Sequence, residues 1–221
     1  MNRNVVITGA ARGIGLALAK HYRDTENNVY ALCRRSSQAL NALGVKVIEG
    51  VEVTNDESVK GLKQHLHDLP IDILINNAGV WGDEPLGYIN YENAMQVMNV
   101  NAFGPLRVFE ALWGNLGSGS KIAMITSRMG SIEDNTSGGR YDYRMSKAAL
   151  NAAAKSLALD MAEEGIAVGI IHPGFVQTDM VGGAGDISAD TAAERIAARI
   201  GELTVATTGR FVHSNGQDLP W

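Results

Sequence analysis

Near its amino terminus the chain reads Asn4-Val5-Val6-Ile7-Thr8-Gly9-Ala10-Ala11-Arg12-Gly13-Ile14-Gly15-Leu16-Ala17-Leu18-Ala19. A short apolar run of strand character ends at Thr8, a turn with glycines at 9, 13 and 15 follows, and helical spacing begins at Ile14. Strand, glycine-rich turn and helix in that order open a doubly wound α/β fold. Gly9 and Gly13 let backbone N–H groups and the helix N-terminus face a pyrophosphate, while Gly15 lets the helix pack closely on the strand. The spacing is G-x-x-x-G-x-G rather than the common G-x-G-x-x-G, and no G-x-x-x-x-G-K-[ST] run points to a nucleotide triphosphatase. Tight turns with no ligand are the alternative reading of the glycines alone.

Working outward, strand-length apolar runs recur at residues 4–8, 29–33, 45–48, 71–75, 121–126, 167–171 and 210–212. Helical spacing fills residues 14–23, 37–43, 56–66, 91–112, 141–161 and 191–200. Continuously apolar strands alternating with helices describe a parallel sheet covered on both faces. The expectation is one domain over residues 1–221, a Rossmann-type, mostly parallel seven-stranded sheet with helices on both sides and a short substrate loop near residues 179–190. No long linker or repeat divides the chain. Gly182 to Gly185 is its most flexible-looking stretch.

Composition removes other classes. With 221 residues and 45% hydrophobic side chains the chain has enough apolar material for one continuous core. A net charge of −5 and no block of lysine or arginine give no footprint for nucleic acid or an anionic membrane surface. The single cysteine, Cys33, cannot form an internal disulfide. No apolar run reaches the roughly 18 residues that span a bilayer, and no signal-peptide h-region is visible. A cytoplasmic protein is expected. Glycine is in excess, 25 residues or roughly 11% against about 7% on average, and it sits singly or in pairs where backbone must turn or approach something closely.

Five motifs stand in register along the chain: Thr8-Gly9-x-x-x-Gly13-x-Gly15; Asn76-Asn77-Ala78-Gly79 after the fourth run; Ser127 after the fifth; Tyr143-x-x-x-Lys147; and Pro173-Gly174 after the sixth. Together they resemble the short-chain dehydrogenase/reductase family over essentially the whole length. Within it the small size and the ending Gly216-Gln217-Asp218-Leu219-Pro220-Trp221 look most like C-factor and sniffer-type carbonyl reductases.

The resemblance implies a dinucleotide held by Gly9, Ala11, Arg12, Gly13, Ile14 and Gly15 at the turn. It further implies contacts from Asn76, Asn77, Ala78 and Gly79, and from Pro173, Gly174, Val176 and Thr178 toward the nicotinamide. Charge argues which dinucleotide. NAD sites place a carboxylate near the end of the second strand, where it would repel a 2′-phosphate. Here that position is Cys33, followed by Arg34, and Arg12 can add a second guanidinium. NADP(H) is expected, with solvated arginines as the bland alternative. The family's adenine-binding aspartate is replaced by Glu52, next to Val53, which keeps an acceptor and alters its reach. A surface glutamate is the other reading of Glu52.

Reduction of a carbonyl by hydride needs an acid for the developing alkoxide. Tyr143 and Lys147, four apart, share a helix face, and the ammonium is expected to lower the phenol pKa. Tyr141, six from Lys147, falls roughly on the opposite side. Ser127 would hydrogen-bond the substrate oxygen, with Thr126 pointing the other way. The resemblance assigns Asn101 a proton-relay role through its backbone carbonyl, with Asn99 as competitor; either can also be a plain helix polar residue. The 16-residue interval from Ser127 to Tyr143 is longer than the family leads one to expect and enlarges the loop around residues 134–139. Trp81, Arg128, Met129, Tyr141, Phe175 and Met180 are candidate pocket borders, and no metal set is seen.

The sequence therefore points to an NADP(H)-dependent oxidoreductase acting on a ketone, an aldehyde or the corresponding alcohol. It is expected as a homodimer or homotetramer paired through the helices beginning near Tyr91 and Tyr141. The alternative is an NADP-binding signalling or redox-sensing protein of C-factor type with little turnover.

Overall fold

The computed structural model describes residues 2–221. Seven strands form one sheet: β1 (Asn4–Thr8), β2 (Asn28–Leu32), β3 (Lys46–Ile48), β4 (Ile73–Asn76), β5 (Lys121–Ile125), β6 (Ala167–His172) and β7 (Phe211–His213). Their order is β3-β2-β1-β4-β5-β6-β7, and every pairing is parallel, which sharpens the expectation of a mostly parallel sheet. Cys33 lies just beyond β2 rather than within it.

Alternation along the strands sends side chains to two cores. Val6, Leu74, Ile122 and Val168 pack on one face with Val59, Leu62, Val108 and Leu157. Val5, Ile7, Ile73 and Ile75 pack on the other with Leu18, Leu40 and Ile196. Each fully buried aliphatic of this kind contributes about 1.5–3 kcal/mol relative to exposure. The covering helices are α1 (Gly13–Asp24), α2 (Gln38–Asn41), α3 (Asp56–Lys60), α4 (Leu62–His65), α5 (Tyr91–Met98), α6 (Gly104–Leu112), α7 (Tyr141–Ala162) and α8 (Ala189–Glu202).

Two spans expected as single helices are broken. The 56–66 span divides at Gly61, where α3 stops and α4 starts. The 91–112 span is interrupted by a π-helical turn, Asn99–Phe103, in which the Gly104 N–H donates to the Asn99 carbonyl five residues back. Pro105 explains the interruption: it has no N–H to donate to the carbonyl of Asn101, so the α-helical ladder fails there. Gly104 faces Val53 so closely that a Cβ would sit 3.0 Å from its Cγ2.

β1 and β4 are neighbours in space although β2 and β3 intervene in sequence, so the chain order reverses between them. A crevice forms at the carboxyl ends of strands at such a switch point. Gly15 in the first turn of α1 lets the helix approach: a Cβ there would overlap the Gly9 carbonyl oxygen and lie 2.6 Å from Asn77 Nδ2. Gly15→Ala is expected to destabilise the protein by about 1–3 kcal/mol through overpacking. Gly201→Ala in the last turn of α8, where no atom lies within 4 Å of the added Cβ, is expected to gain roughly 0.5–1 kcal/mol. Chemical denaturation of the two variants checks both signs.

Candidate active site

A cleft of about 850 Å³ runs along the carboxyl ends of the strands at the switch point. Its floor is the glycine turn, laced to the end of β4. Thr8 Oγ1 accepts from the backbone N–H groups of Asn77 and Ala78, each at 3.0 Å, and Asn77 Nδ2 donates to the Thr8 carbonyl at 3.0 Å. Gly9 adopts φ +66°, and a Cβ there would lie 2.9 Å from Ala78 Cα. Gly9, Ala11, Arg12, Gly13 and Ile14 line the cleft, as do Asn77, Ala78 and Gly79. Gly15 sits behind the turn, as the packing argument requires. Asn76 is buried with its Nδ2 against Met124 Sδ at 3.5 Å, so it does not reach the cleft wall.

One end of the cleft carries Arg34, Glu52 and Val53. The two charged residues, assigned separate tasks by sequence, face each other: Arg34 Nη1 is 3.5 Å from Glu52 Oε2, and Thr54 Oγ1 donates to Glu52 Oε1 at 3.1 Å. Arg34 keeps 69% of its side chain exposed, so the pair contributes at most about 1 kcal/mol and is free to exchange partners. Arg12 forms no ion pair among the described residues. Arg35, which the sequence reading passed over, also lines this end; its signal was the run of two arginines closing β2. Ser37 was missed too: it caps α2 and donates from Oγ to the Ala11 carbonyl at 2.7 Å, tying the glycine turn to the arginine segment. Burial pushes the Cys33 thiol pKa up, which suits a filler at the strand end and not a nucleophile.

At the other end α7 presents Tyr143 and Lys147 to the same cleft. Both are almost fully buried. Lys147 Nζ lies 5.8 Å from the Tyr143 ring centre and donates to the Ile125 carbonyl at 3.1 Å. Burial pushes the lysine down to about 8. The expectation that Lys147 lowers the phenol pKa is corrected: burial pushes Tyr143 up to about 12, opposed only by a hydrogen bond with Ser127. Taking a phenol out of water disfavours its charged form, and the ammonium seated beyond its ring does not reverse that. Ser127 follows β5 in extended conformation, and its Oγ accepts from the Met129 N–H at 3.1 Å. Contrary to expectation it is Thr126, not Ser127, that borders the cleft, although the Thr126 hydroxyl is committed to Asn151 Oδ1 at 2.6 Å.

Asn101 sits fully buried in the π-helical turn. Its Oδ1 accepts from the Val80 N–H at 2.8 Å, while Nδ2 donates to the Val80 carbonyl and to Ser146 Oγ, each at 3.0 Å. Its competitor Asn99 points away, accepting from Arg107 Nη1 at 2.8 Å. Asn101 therefore clamps the segment after β4 onto α7 at Ser146, the residue next to Lys147.

Thr178 and Met180 line the cleft. Pro173, Gly174 and Val176 lie behind that wall; Pro173 accepts from Ser214 Oγ at 2.8 Å, and Val176 is buried. Of the expected pocket borders Met180 alone lines the cleft, and Trp81 lies tilted against Tyr143, with ring centres 4.6 Å apart. Arg128 pairs with Asp134 at 2.8 Å and anchors the long loop before α7. The Gly182 to Gly185 stretch is not loose throughout, because Gly185 is wedged against the backbone at Val176 and Gln177.

Lys147 has a stability signature. Its folded pKa, about 8, lies below the unfolded value of 10.5, so the unfolded chain binds more protons between those values and stability rises with pH there. Relative to Lys147→Met, the wild type should gain about 3 kcal/mol from pH 8 to pH 10.5 and nothing further below pH 7. Paired unfolding curves across that range test it.

The geometry has relatives. The 1-hydroxy-2-glutathionyl-2-methyl-3-butene dehydrogenase of Rhodococcus sp. (strain AD45) is 38% identical over 224 residues, covering 98% of this chain and 99% of that protein. The C-signal protein of Myxococcus xanthus is 43% identical over 155 residues, covering 69% of this chain and 93% of that one. The NADPH-bound carbonyl reductase from chicken fatty liver superimposes with a TM-score of 0.90 at 28% identity, covering 100% of this chain and 99% of that chain. No helix among the described residues is long and apolar enough to cross a membrane. The short chain dehydrogenase family model matches residues 3–187, and the chain belongs to the short-chain dehydrogenase/reductase family of oxidoreductases.

Proposed function

We propose that this protein is an NADP(H)-dependent carbonyl reductase that exchanges hydride between the nicotinamide and a ketone or aldehyde, with Tyr143 as general acid/base. One observation carries the reading: a single cleft joins Arg12 and Arg34 at one end to Tyr143 and Lys147 at the other. The residues fit the dinucleotide. Gly9, Ala11, Gly13 and Ile14 would hold its pyrophosphate where side chains at 9 would collide with Ala78. Arg34 and Arg12 would take the 2′-phosphate, Glu52 the adenine amino group, and Asn77, Ala78 and Gly79 the adjacent ribose. Val53 and Thr178 would form the walls at its two ends, backed by Gly15, Pro173, Gly174 and Val176. When bound, NADPH supplies the hydride.

The protein's own groups handle the proton. A phenol held near 12 stays protonated at neutral pH, ready to donate to the oxygen of the reduced carbonyl. Ser127 would donate a hydrogen bond to that oxygen, and the charged Lys147 would steady the phenolate left on Tyr143. Resupply runs past Asn101, whose carbonyl has no proline N–H to occupy it. The relative named for a hydroxyl-bearing substrate and the neighbours named as carbonyl reductases describe opposite directions of one exchange. Trp81, Phe175 and Met180 favour an apolar or aromatic carbonyl compound. The similarity to C-signal favours a second reading, an NADP-binding signalling protein; it predicts tight cofactor binding without turnover.

The same proposal extends to assembly. Tyr91 and Met95 on α5 and Met145 and Leu159 on α7 are exposed apolar side chains on the two helices expected to pair, so a homodimer or homotetramer should be seen by sedimentation.

NADPH oxidation over a panel of ketones and aldehydes is the direct test. Tyr143→Phe should lose about 10²–10⁴-fold in kcat with NADPH binding retained; unchanged activity would overturn the mechanism. Reduction should weaken as pH rises through about 8, where Lys147 loses its proton. Arg34→Asp should shift preference toward NADH, and equal use of both cofactors by the wild type would sink the NADP assignment.

A further inference from the structure

The loop after β4 is fastened to the start of α7 by contacts that cofactor binding does not require. Tyr141 N–H donates to the Glu84 carbonyl at 3.2 Å, and Glu84 N–H donates to Asp142 Oδ1 at 3.1 Å. Asp142 is completely buried, immediately before Tyr143, and its Oδ2 has no hydrogen-bond partner. Gly82 is pressed against that carboxylate so closely that a Cβ would overlap it. Asp83 pairs with Arg140 Nε at 3.2 Å, and the Arg140 guanidinium lies 5.4 Å from the Trp81 ring centre. Trp81 in turn lies on Tyr143 at 4.6 Å, with the rings tilted by 41°.

The backbone at Arg140 adds a second kind of observation. Residues 138, 139 and 140 all have positive φ, at +63°, +65° and +49°. The first two meet that demand with glycine, whereas the third carries an arginine, the residue with the long cationic side chain that reaches both Trp81 and Asp83. A non-glycine residue held in the left-handed region costs stability and persists where its surroundings over-determine it. Here the surroundings are the indole and the carboxylate. What they jointly restrain is the indole against the phenol.

We propose that Trp81 is a positioning residue for the Tyr143 phenol, and that Arg140, Asp83 and the Gly82–Asp142 contact form the clamp that holds it there. This rests on the reading of Tyr143 as the proton donor. Trp81 closes one face of the Tyr143 ring. Without the indole that face opens, the ring gains freedom, and the hydroxyl no longer keeps one direction toward the substrate oxygen. A displacement of about 1 Å at a reacting group is enough for losses near 10²-fold.

Three variants test it: Trp81→Ala, Trp81→Phe and Arg140→Gly. The last suits the left-handed backbone, so it removes the clamp without straining the fold. Trp81→Ala and Arg140→Gly should lower kcat for carbonyl reduction by about 10–100-fold, with the KM for NADPH within about twofold and the melting temperature of Arg140→Gly undiminished. Trp81→Phe should restore most of kcat. A readout independent of turnover comes from NMR of ¹³C-labelled tyrosine, with the Tyr143 signal assigned by Tyr143→Phe. It should be shifted or broadened in Trp81→Ala and Arg140→Gly and should return in Trp81→Phe. An unchanged Tyr143 signal in Trp81→Ala and Arg140→Gly would overturn the positioning role. If the wild type reduces no carbonyl compound, the functional reading fails, while the NMR comparison still decides whether Trp81 positions Tyr143.

Discussion

Everything at the functional end of this molecule depends on how tightly the first turn is bound to the end of β4. The Thr8 hydroxyl accepts two backbone N–H groups from Asn77 and Ala78, and Asn77 returns a hydrogen bond to the Thr8 carbonyl. Gly15 is absent as a side chain at the same junction, where any Cβ would strike Gly9 and Asn77. Loosen that junction and the crevice between β1 and β4 loses its floor.

From that floor the site is extended by elements far apart in the chain. The arginine segment is pulled in by Ser37 on Ala11, the π-helical turn by Asn101 on Val80 and Ser146, and the start of α7 by Asp142 on the loop after β4. Each tie joins a strand end to a helix across the crevice.

Much of this was legible in the residues. The alternating apolar runs announced seven strands and their helices, since a strand covered on both faces must be apolar throughout, as in Ile73-Leu74-Ile75. The Tyr143-x-x-x-Lys147 spacing put two groups on one helix face. What stayed hidden depended on neighbours distant in sequence. The pairing of Arg34 with Glu52 joins two strand ends that only the β2–β3 register brings together. The break at Asn99–Phe103 was signalled by Gly104-Pro105, yet helical periodicity on either side masked it. Trp81 read as one possible pocket border among several, and only the fold shows it lying on Tyr143.

The protonation of the site marks the same division. Spacing alone determined that a phenol and an amine would share one face of a helix, because helix geometry is a local property, whereas the hydroxyl after β5 was joined to them only by the family resemblance. Whether the amine lowers the phenol pKa was a tertiary matter. Burial of Tyr143 and Lys147 beneath the strands and the loop after β4 removes water from both, moving the phenol up and the ammonium down. Solvation is a property of the whole packed surface, and no local pattern carries it.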